Sequence, residues 1–172
     1  MIRRALFVLL TFFLGWIAQA IFLHLAPLSL PAPHWLLVAV LAVGASGRVN
    51  LAQGLGFFWG LALDLYGQTP FGSQGLLLAF CGFAAGSLSK NLNAEKMITQ
   101  EALTLVASVV FIVGSLQLGE WFVPATGPHR WSLGLCLAGA AMNALAAPAV
   151  FWALRIWLEL GDAWRARAGA RD

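Results

Sequence analysis

Long apolar runs separated by short polar breaks dominate the chain. The runs lie at about positions 5–26, 35–46, 51–66, 73–89, 98–122 and 131–158. The longer ones reach the roughly 20 residues that an α-helix needs to cross about 30 Å of hydrocarbon. The pattern therefore predicts an all-α integral membrane protein with six transmembrane helices. We expect residues 1–172 to form a single membrane domain.

Counting six helices rather than five depends on the break at Arg48. The run that starts at Trp35 continues to Tyr66, apart from the sequence Ser-Gly-Arg-Val-Asn at 46–50. One helix across this break would place Arg48 at mid-membrane, which costs about 2.5–3.5 kcal/mol. We therefore predict two helices joined by a turn at Gly47 and Arg48, each shorter than the usual span.

The N-terminal run has two interpretations. Arg3 and Arg4 precede apolar residues, and Ala18-Gln19-Ala20 has the small-x-small pattern of a signal peptidase site. The apolar run nevertheless continues past this pattern to Leu25. This length favours an uncleaved first membrane helix.

The last predicted helix contains Pro148, and the chain after it becomes polar. Proline removes a backbone hydrogen bond and clashes with the preceding turn, so we predict a kink there. We predict a frayed tail over residues 161–172.

Composition and charge placement support a membrane location and an orientation. Hydrophobic residues make up 60% of the chain and charged residues 10%, against about 45–50% and 25% in soluble domains. With the N-terminus inside, nine of the ten basic residues lie on the cytoplasmic side and only Arg130 lies outside. The positive-inside rule favours this N-in, C-in topology. The aromatic residues Trp35, Tyr66, Trp121 and Trp131 then fall at the outer boundary.

Motifs for catalysis or nucleic-acid binding are missing from the sequence. The net charge of +3 comes from basic residues at helix ends, which form no stripe for nucleic acid. The chain has no HExxH, Gly-x-Ser-x-Gly or phosphate-loop motif. His24, His34 and His129 are isolated, and we interpret them as polar residues near the membrane boundary. We expect neither an enzyme nor a bound cofactor or metal.

The third predicted helix carries polar and small residues on one face. Gln53, Gly56, Gly60 and Asp64 are three or four residues apart. Gly56 and Gly60 form a small-xxx-small pattern, which lets another helix approach closely. Two interpretations remain open: packing against a neighbouring helix, or contact with a partner or ligand.

Asp64 also has two interpretations. An ionisable group within a membrane segment suggests a functional site. The alternative is that its carboxylate pairs with a backbone donor of the turn that follows.

Two further helices carry small-residue stripes. On the fourth helix the stripe consists of Gly75, Ala79, Gly82, Gly86 and Ser89, and we expect it to face the third helix. The sixth helix has Gly139, Asn143 and Ala147. Asn143 lies near mid-membrane, where it needs a hydrogen-bond partner.

The residues at 48–50, 56–65 and 67–72 resemble the rod shape-determining protein MreD family. The similarity comprises an Arg-Val-Asn turn, a glycine-rich helix ending in Asp-Leu, and a Gly/Thr/Pro/Gly turn in which Phe71 replaces the usual leucine. It lies within residues 48–72, which are 25 of the 172 residues. The resemblance implies a partner-binding or structural motif made of Arg48, Asn50, Gly56, Gly60, Asp64, Pro70 and Gly72.

The resemblance also implies a function. Members of this family are multi-pass proteins of the bacterial inner membrane that act as non-enzymatic scaffolds of the cell-wall elongation complex. They bind MreC and associate, directly or indirectly, with MreB and with the peptidoglycan synthase formed by RodA and penicillin-binding protein 2.

The family's fold is distantly similar to the substrate-binding subunits of energy-coupling-factor transporters. The alternative function is therefore such a subunit for a vitamin-like molecule. Those subunits carry an Ala-x-x-x-Ala docking pattern, whereas the alanines of the first helix here, with Ala18 and Ala20 in its interior, do not form that pattern.

Overall fold

In a computed structural model, the residues described are 9–10, 12–18, 21, 32–65, 70–89, 96–122 and 133–169, with side chains up to residue 156. All elements within these ranges are helices. The helical residues of α1 are 9–10, 12–18 and 21. The other helices are α2 (Trp35–Ala45), α3 (Val49–Asp64), α4 (Ser73–Leu88), α5 (Met97–Phe122) and α6 (Leu133–Gly169). The predicted ends of the first helix, and Tyr66, Arg130 and Trp131, lie outside the described residues.

The predicted break at Arg48 is present. Helix α2 ends at Ala45, and the hydroxyl of Ser46 donates to the carbonyl of Val43 at 2.7 Å. Gly47 then adopts a left-handed conformation with φ of 81°, which turns the chain after the helix. Arg48 precedes the first turn of α3, and its carbonyl accepts from the backbone N–H of Ala52 at 2.9 Å.

Helices α5 and α6 contain the two segments that are long and apolar enough to cross a membrane among the described residues. These segments are Met97–Phe122 and Leu133–Ile156. Only 17% and 22% of their most apolar windows are buried inside the protein. Their outward side chains include Val106, Leu145 and Trp152, each more than 60% exposed. Such faces suit lipid better than water, because exposing them to water is unfavourable.

Helix α2 is short and lies in the interior. Its residues 36–44 are all buried, against α3, α4 and α6. With 11 residues it is about 16 Å long, which is too short to cross the hydrocarbon alone. A helix enclosed by others needs no polar face, and the sequence Leu-Leu-Val-Ala-Val-Leu-Ala-Val accordingly has none.

The start of α2 corrects two predictions. The backbone N–H of His34 donates to the side chain of Asn143, which lies near the middle of the apolar part of α6. His34 and the adjacent Trp35 are therefore level with the middle of α6 and not at the outer boundary. The sequence placed them wrongly because the neighbouring prolines look like a surface loop.

Helix α6 is longer than predicted. It continues through Pro148 and ends at Gly169, where the sequence predicted an end near 158 and a frayed tail. The extension is rich in alanine and arginine, which have high helix propensity. At Pro148 the missing N–H leaves the carbonyl of Ala144 without its usual helical donor.

Helix α4 packs against both α2 and α3. A Cβ added to Gly44 of α2 would lie 2.8 Å from the carbonyl oxygen of Gly82. Helix α1 packs beside α2 and α3, since Gly15 meets the side chain of Leu36 and the Phe12 ring lies 6.1 Å from that of Trp59. The α3–α4 hairpin is thus held against the buried α2.

Candidate functional site

The carboxylate of Asp64, the last residue of α3, accepts hydrogen bonds at the start of α4. Its Oδ2 accepts from the backbone N–H of Gly72 at 2.9 Å and of Gly75 at 3.2 Å. Its Oδ1 accepts from the backbone N–H of Gln74 at 3.2 Å and from the Ser73 hydroxyl at 3.4 Å. The backbone N–H groups come from the N-cap residue Gly72 and from the first turn of α4, and N–H groups at these positions have no partners within the helix. The positive end of the helix dipole also favours a carboxylate there.

The turn before α4 presents these donors to Asp64. The backbone N–H of Ser73 donates to the carbonyl of Pro70 at 3.0 Å. Gly72, the third residue of this turn, has φ of 95° and ψ of −12°. A type II turn requires a positive φ at that position, which favours glycine. Pro70, Gly72 and Asp64 therefore form one local structure at the end of the hairpin.

Gly56 and Gly60 bring the backbones of α3 and α4 into contact. A Cβ on Gly56 would lie 2.5 Å from the carbonyl oxygen of Leu78. A Cβ on Gly60 would overlap the backbone of Gln74 and Gly75. Only glycine leaves room for this approach, which brings Asp64 within reach of the α4 backbone.

The small-residue stripe of α4 faces α3, as predicted. Gly75 lies against the backbone of Leu61, Gly82 against Ala52, and Gly86 against Val49. These three contacts define the register of the hairpin over its whole length.

The remaining predicted site residues lie elsewhere on α3. Arg48 and Asn50 are at the opposite end from Asp64, about 24 Å away for a helix of 16 residues. Arg48 is half-buried and Asn50 is exposed. Gln53 is exposed too, so it does not share the buried position of Gly56, Gly60 and Asp64. The motif residues therefore lie at both ends and in the middle of the hairpin, and they do not form one cluster.

A buried polar network joins α2, α5 and α6, and the sequence revealed only one member. Asn143 accepts from the His34 backbone N–H at 2.6 Å and donates to the Ser108 hydroxyl at 3.0 Å. The need of Asn143 for a partner was predicted, but His34 and Ser108 were not identified. His34 also caps α2, because its Nδ1 accepts from the N–H of Leu37 at 3.2 Å. Its ring packs edge-on against Phe111.

These contacts show what the described side chains do. The donors at the start of α4 that meet the two oxygens of Asp64 include three backbone N–H groups and the Ser73 hydroxyl, so its carboxylate fastens α3 to α4. Among the described residues, no three His, Cys, Asp or Glu side chains are grouped so that they could hold a metal ion. The Asp64 bonds and the glycine contacts join α3 and α4 into one hairpin.

Among known proteins, the chain matches one family model. No curated protein and no solved structure matches the chain. The family model described as rod shape-determining protein MreD matches residues 1–152. This range contains the Arg48 turn, the glycine contacts and the Asp64 cap. The chain therefore belongs to the MreD family of rod shape-determining membrane proteins.

Proposed function

We propose that this protein is a non-enzymatic scaffold of the bacterial cell-wall elongation complex. It binds MreC and associates with the RodA–penicillin-binding protein 2 synthase and, directly or indirectly, with MreB. The observation that carries the proposal is the family match over residues 1–152, because membership implies a role in rod shape determination. The partners themselves are part of the proposal.

The internal contacts support a scaffold. Asp64, the ionisable group that the sequence singled out, is engaged by the protein's own backbone. The glycine contacts hold α3 and α4 in a single register. A rigid surface favours protein binding, since little conformational entropy is lost when the partner docks.

We also propose a location and topology. The protein lies in the inner membrane as a multi-pass protein with both ends in the cytoplasm. The two long apolar helices and the placement of the basic residues support this arrangement. In it, Arg48 lies at the cytoplasmic end of α3, and the Pro70–Gly72 turn lies at the periplasmic end. The latter turn, together with residues 124–130, which the sequence predicts to form a loop on the same side, offers contacts to periplasmic parts of a partner.

Co-purification and complementation test the proposal. The chain is expressed with tagged full-length MreC, and it also replaces the native protein in a rod-shaped bacterium. We expect stoichiometric recovery with MreC and restored rod shape. Gly119→Ala is the matched control for Gly60→Ala, because a Cβ at Gly119 would meet nothing within 4 Å.

The two substitutions should then have different effects on MreC recovery and on cell shape. Gly60→Ala is expected to lose both MreC and rod shape, while Gly119→Ala keeps both. Normal rods with no recoverable MreC would refute the named partner. Saturable thermal stabilisation of the purified protein by a vitamin would instead support the transport alternative.

A further inference from the structure

Helix α5 carries two hydroxyl side chains on the face that it turns towards the interior. Thr104 and Ser108 both have 0% of their surface exposed. They are four residues apart, so they lie one turn from each other on the same side of the helix. A polar group in the interior of a membrane protein is unfavourable unless it is hydrogen-bonded. Each of the two hydroxyls therefore needs a partner.

The hydroxyl of Thr104 has no hydrogen-bond partner within the described part of the protein. Threonine inside a helix can donate to the carbonyl four residues earlier, but Thr104 does not make this bond. Most buried side-chain polar atoms in proteins bond either to another protein group or to an ordered water. The buried oxygen of Thr104 therefore requires a polar molecule beside it.

The hydroxyl of Ser108 is only partly satisfied, which is an independent observation. Its oxygen accepts from the amide of Asn143 at 3.0 Å. A serine hydroxyl can also donate its own proton, and no acceptor for that proton is found among the described residues. A donor and an unpaired oxygen thus lie one helical turn apart in the interior.

The spacing of the two hydroxyls suits one water molecule. Side chains four residues apart on a helix have Cβ atoms about 5–6 Å apart. A direct O–H···O bond needs about 2.5–3.0 Å, so the two oxygens do not bond to each other across this distance. A water about 2.8 Å from each oxygen spans it.

The neighbouring helix provides a small side chain at this depth. Ser108 bonds to Asn143 of α6, and consecutive membrane-spanning helices run in opposite directions. Thr104, one turn before Ser108, is therefore level with Ala147, one turn after Asn143. Ala147 is fully buried, and its methyl group fills less volume than a longer side chain would.

We propose that an ordered water binds between Thr104 and Ser108. It accepts the proton of Ser108 and bonds to the hydroxyl of Thr104, and backbone carbonyls of the same turn, which have two lone pairs, supply a further acceptor. Buried waters typically make about three such bonds. The water extends the network of His34, Asn143 and Ser108 by one turn of α5. The site lies inside the protein, and MreC takes no part in it.

Ser115 provides a comparison on the same helix. Its hydroxyl oxygen is also buried without a partner in the described structure. The residues four positions away are Phe111 and Gly119, so neither offers a second hydroxyl at bridging distance. Ser115→Ala therefore removes a buried hydroxyl without touching the proposed site.

Solid-state NMR tests the site directly. Full-length protein, labelled with ¹³C at threonine and valine, is placed in lipid bilayers, and magnetisation is transferred from water protons to the side chains. The signal of Thr104, which is identified by its loss in Thr104→Val, should build up several times faster than that of Val40. Val40 is fully buried in α2 and serves as the dry reference. Build-up at Thr104 as slow as at Val40 overturns the proposal.

The bridging geometry is tested in two variants. Ser108→Ala should slow the build-up at Thr104 to the rate of Val40, because the water loses one of its partners. Ser115→Ala should leave the build-up at Thr104 unchanged. Fast build-up that persists in Ser108→Ala overturns the bridge.

Unfolding in mixed micelles gives a second readout. Thr104→Val keeps the side-chain volume and removes the hydroxyl, so we expect the unfolding equilibrium constant to rise about fivefold. Thr99→Val is the matched control near the start of α5, where Thr99 is partly exposed, and it should change the constant less than twofold. In the Ser108→Ala background, Thr104→Val should have almost no effect, because the bridge is already lost.

The other results of this measurement contradict the proposal. A fall in the unfolding constant for Thr104→Val would mean that the hydroxyl is buried without any partner. An unchanged constant would mean that the hydroxyl rotates to the carbonyl of its own helix. Equal effects of Thr104→Val with and without Ser108 would mean that the two hydroxyls share no water.

Discussion

The α3–α4 hairpin and the α5–α6 pair join neighbouring helices by different means. In the hairpin, Gly56 and Gly60 allow backbone to touch backbone, and Asp64 fastens the end. Between α5 and α6 the described polar contact is the hydrogen bond from Asn143 to Ser108. The first arrangement leaves no space for a single added carbon. The second depends on a side-chain bond that other polar groups in the membrane partly replace when it is lost.

This contrast predicts that the hairpin tolerates little change. Steric overlap with the backbone is relieved only when a helix moves. Loss of one side-chain hydrogen bond between membrane helices lowers the free energy of unfolding by a smaller amount. The substitutions below test the difference, each by unfolding in mixed micelles titrated with dodecyl sulfate and followed by tryptophan fluorescence.

Gly60→Ala should have the largest effect. The new Cβ would overlap the backbone of Gln74 and Gly75, so α4 must move away and the Asp64 bonds lengthen. We expect the free energy of unfolding to fall by about 4 kcal/mol. Gly54→Ala is the control on the same helix, and it should be neutral or slightly stabilising because alanine favours the helix. Equal effects of the two would contradict the proposed close packing.

Asp64→Ala should come next, with a loss of about 3 kcal/mol. The substitution leaves the backbone N–H groups of Gly72, Gln74 and Gly75 without this acceptor. Ser73→Ala removes only the longest of the four bonds, at 3.4 Å, and should cost less than about 1 kcal/mol. A loss as large for Ser73→Ala as for Asp64→Ala would show that the backbone donors contribute little.

Asn143→Ala should cost about 1–2 kcal/mol, since hydrogen bonds between membrane helices are individually modest. A double-mutant cycle with Ser108→Ala isolates the bond between the two side chains. We expect a coupling energy of about 1 kcal/mol. Additive losses would mean that the bond from the His34 backbone carries the stabilisation.

Gly72→Ala should have the smallest effect, about 1 kcal/mol. Gly72 has a positive φ, but a Cβ there would meet nothing within 4 Å. The cost is therefore conformational rather than steric. Gly47→Ala shares both properties and should behave alike, so the pair separates backbone strain from the overlap tested at Gly60.

Several features were predictable because they follow from local chemistry. Arg48 and Gly47 indicated a helix break, since a charge at mid-membrane is costly and glycine accepts the left-handed turn. The spacing of Gly75, Gly82 and Gly86 indicated a close-packed face, because residues three or four apart share one side of a helix. The MreD motif could be recognised from the sequence because its residues lie close together in the chain.

The sequence alone therefore determined that the chain is helical, where most helices begin and end, and which glycines face another helix. Only the tertiary structure decided which partners meet: the carboxylate of Asp64 with the start of α4, the backbone of His34 with Asn143, and the enclosure of α2. Those contacts join groups up to 109 positions apart. A helical period specifies a face but not the neighbour that packs on it, so long-range pairing emerges only when the whole bundle is assembled.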